Sequence, residues 1–315
     1  MSGGPDAIVL GTVTDRMRAR LDEKFTVHAV GTDSVPEALL GASYICCGQG
    51  GASVRADLID AMPELKIISN FGVGYDNVDA AHAASKGVVV SHTPDVLNDE
   101  VANTAILLML ASARNFRHDE DWARSGTWEK QGAAPLSRSV KGATVGILGL
   151  GRIGEALAEK LGAFGVTVVY HNRSEKPVPY TYYGDLVEMA RDADILISVA
   201  PGGASTHHIV NAEVLKALGP DGLLVNVGRG SVVDEAALVA ALSSGTLGAA
   251  ALDVFEHEPK IPDALKAMDN VVLLPHVGSA TVETRAAMGD LVVDNLIAML
   301  ETGKARTPVP ECRDI

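Results

Sequence analysis

Short runs of β-branched and other apolar residues alternate with alanine-rich segments along almost the whole chain of 315 residues. Each run is long enough for one buried strand, and each alanine-rich segment is long enough for one helix. Strands that alternate with helices form β-α-β units and parallel sheets, because a parallel connection needs a crossover of a dozen or more residues. The alternation therefore predicts an α/β protein.

The predicted strands fall into two series. They cover residues 7–13, 25–30, 44–47, 66–70 and 88–91 in the first series, and 143–148, 166–171, 194–199, 222–227, 249–255 and 271–274 in the second. A long helix is predicted over 98–117, between the two series, and a last helix over 281–301. The length also suits about two domains. We therefore predict two doubly wound, Rossmann-like parallel-sheet domains, with the last helix returning to the first domain.

Charge and cysteine usage limit the partners and the compartment. The chain has 26 Lys and Arg against 40 Asp and Glu, a formal charge of −14, which argues against nucleic acid or an anionic membrane as a partner. The longest apolar stretch, 104–113, is shorter than the roughly 20 residues of a membrane span, and the start of the chain lacks a signal-peptide pattern. Three cysteines without a C-x-x-C spacing suit a reducing compartment. We expect a cytoplasmic protein.

A glycine-rich loop follows the first strand of the second series. The sequence VGILGLGRIG places Gly149, Gly151 and Gly154 in the pattern G-x-G-x-x-G, between a predicted strand and an amphipathic helix. In such a loop the glycines allow a tight turn, a close approach to a pyrophosphate and close packing of helix on strand. The helix N-terminus adds N–H donors for the phosphates. We predict a dinucleotide site here, which includes Arg152 and Ile153.

The end of the next strand indicates the type of cofactor. NAD enzymes usually carry an acidic residue about 20 positions after the glycines, where it binds the ribose hydroxyl. Here the strand ends in His171-Asn172-Arg173-Ser174, and no carboxylate occurs before Glu175. Arg173 and Ser174 suit a 2′-phosphate. We predict that Asn172, Arg173 and Ser174 contact the cofactor, with NADP preferred and NAD possible.

Three later loops each place one chemically useful side chain just past a predicted strand. They read NVGRGSVVDE, LDVFEHEP and LLPHVGSAT, and they supply Arg229, Glu258 and His276. The carboxyl ends of strands line the ligand crevice of an open α/β sheet. An arginine can bind a carboxylate with two parallel hydrogen bonds. A histidine can give a proton to a carbonyl oxygen, and a neighbouring glutamate favours the charged imidazole and orients it.

These motifs together resemble the D-isomer-specific 2-hydroxyacid dehydrogenases, and within them the glyoxylate/hydroxypyruvate and hydroxyphenylpyruvate reductases. The matching stretches lie between about 67 and 300 and include NFGVGYDNVD, VGILGLGRIG, NVGRGSVVDEAALVAAL, ALDVFEHEP and LLPHVGSATVETR. The resemblance implies that Arg229, Glu258 and His276 are the catalytic set, and that backbone amides of Val73 and Gly74 hold the substrate carboxylate. It also implies a flavodoxin-like substrate domain over 1–98 and 282–315, and a dinucleotide-binding domain over 99–281.

The same resemblance implies further contacts. Cofactor contacts are expected at Thr206, Val227 and Asp253, although Pro201-Gly202-Gly203 stands where the family often has Pro-Leu-Thr. A homodimer is expected, with the helix after Asn98 at its interface, and a tryptophan in the region of Trp128 can reach the partner's active site in such reductases. The substrate stays open, because the loop Gly48-Gln49-Gly50-Gly51 near its side chain is unusually small and polar.

The expected function is NAD(P)H-dependent reduction of a small 2-oxo acid, namely glyoxylate, hydroxypyruvate or an arylpyruvate, to the D-2-hydroxy acid. The hydride would come from the nicotinamide and the proton from His276. A nicotinamide-sensing, corepressor-like binding protein of the same fold is the alternative. A short-chain dehydrogenase is disfavoured, because no tyrosine has a lysine four residues on.

We expect no metal site. The pairs His207-His208 and Cys46-Cys47 are the candidates for metal ligands. Adjacent residues on a strand point to opposite faces, so neither pair is expected to chelate an ion. We expect the cysteines in the core and the histidines in a loop.

Overall fold

The computed structural model describes residues 3–31, 35–50 and 53–315. It divides into two units, Met1–Leu97 with Ala280–Ile315, and Asn98–Ser279; the sequence analysis placed these boundaries at 98/99 and 281/282. Within the described ranges, no helix is both long and apolar enough to cross a bilayer. Gly51, part of the small loop singled out above, lies outside the described residues.

The elements are numbered in chain order. Up to Leu97 they are β1 Asp6–Leu10, α1 Asp15–Asp22, β2 Thr26–Val30, β3 Tyr44–Cys47, α2 Ala56–Ala61, β4 Ile67–Asn70, α3 Ala80–Ser85 and β5 Val89–Ser91. The second unit contains α4 Asn98–Ala113, α5 Phe116–Arg124, α6 Thr127–Gln131, β6 Thr144–Leu148, α7 Arg152–Leu161, β7 Thr167–His171, β8 Thr181–Tyr183, α8 Leu186–Asp192, β9 Ile195–Ser198, α9 Ala212–Leu218, β10 Leu223–Asn226, α10 Glu235–Ser244, β11 Ala249–Leu252, α11 Asp263–Ala267 and β12 Val271–Leu273. The last helix is α12 Val282–Thr302.

The first unit is a parallel sheet with the strand order β2-β1-β3-β4-β5. This is the flavodoxin-like order, in which the chain reverses direction across the sheet between β1 and β3. The central strands β3 and β4 are buried on both faces, as parallel strands covered by helices must be. Helix α12 packs against α1, β3 and β4, so the end of the chain completes this unit.

The second unit is a seven-stranded parallel sheet with the order β12-β11-β10-β9-β6-β7-β8. The order reverses between β9 and β6, and the outward series on each side gives the doubly wound arrangement of dinucleotide-binding domains. Strands β9 and β10 are fully buried. The predicted fold class, two doubly wound Rossmann-like α/β domains with a flavodoxin-like first sheet, is confirmed.

Three elements show the main differences from the prediction. The helix predicted over 98–117 is wrong in length, because α4 ends at Ala113 and Asn115 adopts a left-handed conformation with φ 49°, which asparagine tolerates better than most residues. The chain then begins α5 at Phe116. The strand predicted over 249–255 ends at Leu252. The short edge strand β8 was missed; its signal is the aromatic run Tyr180-Thr-Tyr-Tyr183.

A cluster of ion pairs joins α1 to α12 within the first unit. Both carboxylate oxygens of Asp290 accept hydrogen bonds from Arg16, at 2.8 and 2.7 Å, and one also accepts from Arg20 at 3.0 Å. Arg20 reaches Asp294 at 2.6 Å as well. The hydrogen bond from Arg16, followed by that from Arg20, holds the pKa of Asp290 below its ordinary value of 3.8, against the opposing effect of partial burial.

Asp290→Asn should therefore destabilise the first unit by about 1 kcal/mol near neutral pH, or about 2–4 °C in the unfolding midpoint. A carboxylate with a lowered pKa contributes stability that is fully present above pH 3.8 and is lost as the pH falls through its folded-state pKa. The difference in unfolding midpoint between wild type and variant should disappear over that acid range, as thermal melts followed by circular dichroism can measure. Asp22→Asn, which removes the exposed pair with Arg18, is the control and should cost less than about 0.5 kcal/mol. An equal gap at pH 7 and at the acid end would contradict the assignment.

Candidate active site

Three loops at one edge of the seven-stranded sheet carry the predicted catalytic residues. Arg229 follows β10, Glu258 follows β11 and His276 follows β12. These three strands are neighbours and parallel, so their carboxyl ends lie side by side. The structure brings Glu258 and His276 into direct contact and places Arg229 close enough for its charge to act on Glu258.

The histidine and the glutamate form a directed pair. His276 Nδ1 lies 2.7 Å from Glu258 Oε2. An ionised carboxylate can only accept a hydrogen bond, so Nδ1 carries the proton of this bond. Glu258 Oε1 accepts a second hydrogen bond from the backbone N–H of Phe255 at 3.0 Å, which fixes the carboxylate plane. With Nδ1 committed to Glu258, Nε2 is the ring atom that can exchange a proton with a ligand.

Opposing influences act on the pKa of Glu258. Burial is the largest of them and raises the pKa. The hydrogen bonds from His276 and from the Phe255 N–H, together with the positive charges of His276 and Arg229, outweigh burial and lower the pKa below its ordinary value. Glu258 is therefore an anion across the neutral range, and it accepts the Nδ1 hydrogen bond of the imidazole beside it.

A buried aspartate builds the loop that carries His276. Asp253, which is 1% exposed, accepts hydrogen bonds from the N–H groups of Val277 at 2.7 Å and Gly278 at 2.8 Å. Its backbone carbonyl accepts from the N–H of His276 at 2.8 Å. Burial raises the pKa of Asp253, and the two N–H donors oppose this. Asp253 was predicted as a cofactor contact, which stays a prediction; in the structure its carboxylate positions the histidine loop.

The loop around Arg229 is fixed by an asparagine that the sequence analysis did not single out. Asn226 donates from Nδ2 to the Arg229 carbonyl at 2.9 Å and accepts from the Gly228 N–H at 3.1 Å. A side chain at Gly230 would place its Cβ 1.9 Å from the carbonyl carbon of Phe255, so only glycine lets this loop approach the loop after β11. The signal for Asn226 is its place at the last residue of a buried strand.

The glycine loop has the form that a dinucleotide needs. Gly149 has φ 99°, and a Cβ at Gly154 would lie 2.4 Å from the Gly149 carbonyl oxygen, so both positions require glycine. A Cβ at Gly151 would meet no atom within 4 Å, which leaves room at the N-terminus of α7 for a phosphate. Arg152 and Ile153 form the first turn of that ten-residue helix.

The end of β7 separates the predicted cofactor residues by role. Asn172 Oδ1 accepts from the Leu150 N–H at 2.8 Å, so its side chain braces the glycine loop. Arg173 and Ser174 are exposed, and the first carboxylate that follows β7 in the sequence is Glu175. These residues fit a dinucleotide that carries a 2′-phosphate.

The remaining predicted contacts lie on the loops after β9, β10 and β4. Thr206 Oγ1 donates to the carbonyls of Pro201 at 2.7 Å and Gly203 at 3.2 Å, so it closes the turn after β9. Val227 is buried, and its N–H donates to Ser198. In the first unit, two backbone carbonyls hold the loop after β4. The Val73 carbonyl oxygen lies 2.9 Å from His92 Nδ1, and the Gly74 carbonyl accepts a hydrogen bond from Asn70 Nδ2 at 2.9 Å. Their roles in binding cofactor or substrate stay predictions.

Comparison with known proteins gives these loops their family. Residues 106–278 match the model of the D-isomer specific 2-hydroxyacid dehydrogenase NAD binding domain. The chain belongs to the D-isomer-specific 2-hydroxyacid dehydrogenases. The matched region contains the glycine loop, Arg229, Glu258 and His276, so all these residues lie in the NAD binding domain of this family of oxidoreductases.

The chain is similar to known reductases over most of its length. It is 51% identical to hydroxyphenylpyruvate reductase of Plectranthus scutellarioides over 93% of this chain and 95% of that protein. It is 48% identical to glyoxylate/hydroxypyruvate reductase A of Arabidopsis thaliana, over 83% and 84% of the two chains. Among solved structures, the NADPH-dependent glyoxylate/hydroxypyruvate reductase of Sinorhizobium meliloti, in complex with NADP and malonate, superposes with a TM-score of 0.94 at 51% identity, covering 98% and 97% of the two chains.

Glu258→Gln should lower the rate of catalysis in the reducing direction. The substitution keeps the size of the side chain but removes the anion that accepts the Nδ1 hydrogen bond of His276, so the rate should fall roughly tenfold or more. Steady-state kcat at neutral pH measures this effect. Glu213→Gln, at an exposed position in the first turn of α9, is the control; an unchanged kcat in Glu258→Gln would show that Glu258 does not support the proton donor.

Proposed function

We propose that the chain reduces small 2-oxo acids to D-2-hydroxy acids with NADPH as the preferred reductant. The observation that carries this proposal is the His276–Glu258 hydrogen bond of 2.7 Å with Arg229 on the adjacent loop. The names of the similar reductases, for glyoxylate, hydroxypyruvate and hydroxyphenylpyruvate, support the same substrate class. They are all enzymes, and for this reason we do not propose the corepressor-like alternative.

Each catalytic side chain has one task in the proposed reaction. Arg229 binds the substrate carboxylate, which sets the neighbouring carbonyl oxygen toward His276. His276 donates its Nε2 proton to that oxygen, and Glu258 stabilises the imidazolium before the transfer and orients the ring throughout. When bound, the nicotinamide cofactor supplies the hydride. In the oxidising direction His276 accepts the proton instead, so high pH should favour oxidation.

A substrate without a carboxylate should be a poor one. Leaving Arg229 without its anion costs the charge-assisted bonds, and a site built for a polar group rejects analogues that lack it by roughly 10⁴-fold. We expect kcat/KM for acetone to be lower than that for glyoxylate or hydroxypyruvate by about this factor. Arg229→Gln should raise KM for the 2-oxo acids and reduce the difference in kcat/KM between these acids and acetone. Equal kcat/KM for acetone and glyoxylate in the wild type would contradict carboxylate binding.

The preference for NADPH rests on the end of β7. Arg173 can donate to a 2′-phosphate, and one hydrogen bond to a charged group is worth about 1.5–3 kcal/mol, or roughly ten- to a hundredfold in selectivity. Arg173→Ala should weaken NADPH binding by this factor and leave NADH binding nearly unchanged, as kcat/KM for both cofactors will measure. Lys176→Ala is the matched control, because it removes a nearby cation whose Nζ is already bound to Glu155 at 2.6 Å. A wild type that favours NADH, or a variant that loses both cofactors equally, would contradict the assignment.

We also propose that the protein is a cytoplasmic homodimer. Large apolar side chains are exposed along one continuous segment of the second unit: Leu107 (57%), Phe116 (62%), Trp128 (65%) and Leu136 (99%). Such exposure is typical of a surface that another chain covers. The segment begins with α4, the predicted interface helix, and includes the exposed Trp128. The three cysteines are buried and free, which suits a reducing compartment. Light scattering of the purified chain should give twice its mass of 32.8 kDa.

A further inference from the structure

Two adjacent histidines in the turn after β9 face the same way. The rings of His207 and His208 stack with centroids 3.9 Å apart and planes at 29°. The pair lies in a turn, in keeping with its predicted loop position, and His208 has φ 51°, so the alternation of side chains along a strand does not apply to it. With His208 in the left-handed conformation, its ring lies on the same side as the ring of His207. A non-glycine residue in this conformation carries a strain that surrounding contacts must overcome, and such strain concentrates at functional sites.

A carboxylate completes the cluster from another loop. Glu256, four residues after the end of β11, has Oε1 2.7 Å from His208 Nε2. One donor atom from each of His207, His208 and Glu256 lies within 4.8 Å of the other two. Two imidazole nitrogens and one carboxylate oxygen are the protein ligands of a common type of zinc site, which completes its tetrahedron with water.

The donors need only small movements to bind an ion. Ligands at about 2.0–2.1 Å from a tetrahedral zinc lie roughly 3.3–3.4 Å apart. The His208–Glu256 pair must therefore open slightly from 2.7 Å, and the His207 ring must turn toward it. His207 is exposed, so its ring can make this rotation without disturbing a packed core.

The backbone around the donors is already fixed. The N–H of His208 donates to the Ser231 carbonyl at 2.8 Å, and the N–H of Glu256 donates to the buried carboxylate of Glu235 at 3.0 Å. Groups that hold ligands in place in this way raise the affinity of metal sites.

We propose that His207, His208 and Glu256 form a binding site for one zinc ion. The ion would tie the turn after β9 to the loop after β11, which carries Glu258 two residues later. It is separate from the catalytic pair, since neither His276 nor Glu258 supplies a donor. Because the ion binds the folded protein, zinc should raise the unfolding temperature of the second unit.

Isothermal titration calorimetry with ZnCl₂ on tag-free, chelator-treated protein tests the proposal. We expect one ion per chain. His207→Gln and Glu256→Gln should each weaken binding by at least about tenfold, because a lost ligand should cost no less than a lost supporting contact. His207 is exposed, so its variant should fold normally, as circular dichroism can check. The readout is heat of binding, so it does not depend on turnover.

Two controls separate this site from other histidine–carboxylate pairs. His28 Nε2 lies 2.7 Å from Asp6 in the first unit, the same distance as the His208 pair, and His28→Gln should leave zinc affinity unchanged. His276→Gln should also leave it unchanged. A preorganised zinc site should be occupied well below about 1 mM zinc. If no zinc binds at that concentration, the proposal is overturned. Binding that survives both His207→Gln and Glu256→Gln, or that disappears in His276→Gln, would overturn it as well.

Discussion

The active-site edge of the second unit depends on one buried carboxylate. Asp253 has no cation among its hydrogen-bond partners in the described residues, and its charge is met by the N–H groups of Val277 and Gly278. Two such bonds to a charged group are worth several kcal/mol locally, enough to hold His276 at φ 55°. Strand β11 ends at Leu252. The carbonyl of the next residue, Asp253, accepts a hydrogen bond from the His276 N–H and so does not continue the regular pairing of the sheet.

Parallel strand order turns this local constraint into a site. Strands β10, β11 and β12 are adjacent, so the loops that follow them meet without any long-range adjustment. Gly230 lets the first two loops touch, and Glu258 bonds to His276 across the next gap. On the other side of β10, the turn after β9 brings His208 to Glu256. One geometric rule thus accounts for the contact between His276 and Glu258, for Arg229 on the adjacent loop and for the proposed zinc ligands.

The sequence predicted the parts of the structure that follow from periodicity and from local motifs. The strand positions, the glycine loop, and the meeting of His276 and Glu258 at the strand ends could be predicted in this way. The break at Asn115, the strand β8 and the common orientation of His207 and His208 could not. Each depends on one residue's backbone angle or on pairing with a distant strand, and hydrophobic patterns carry neither kind of information. The roles of Asp253 and Asn172 in holding loops could not be predicted for a similar reason, since a hydrogen bond between a side chain and the backbone does not change the hydrophobic pattern of the sequence.

The central claim is that His276, held by Glu258 and by the Asp253 loop, gives the proton in reduction. Single-turnover measurement of NADPH oxidation on mixing the NADPH complex with hydroxypyruvate tests it most directly, because cofactor binding and product release do not limit that rate. The account predicts that His276→Gln slows the step by about 100-fold or more, the lower range for general acid catalysis, while the Kd for NADPH stays within about twofold, less than the ~1.4 kcal/mol of a tenfold change. An unchanged single-turnover rate in this variant would contradict the account.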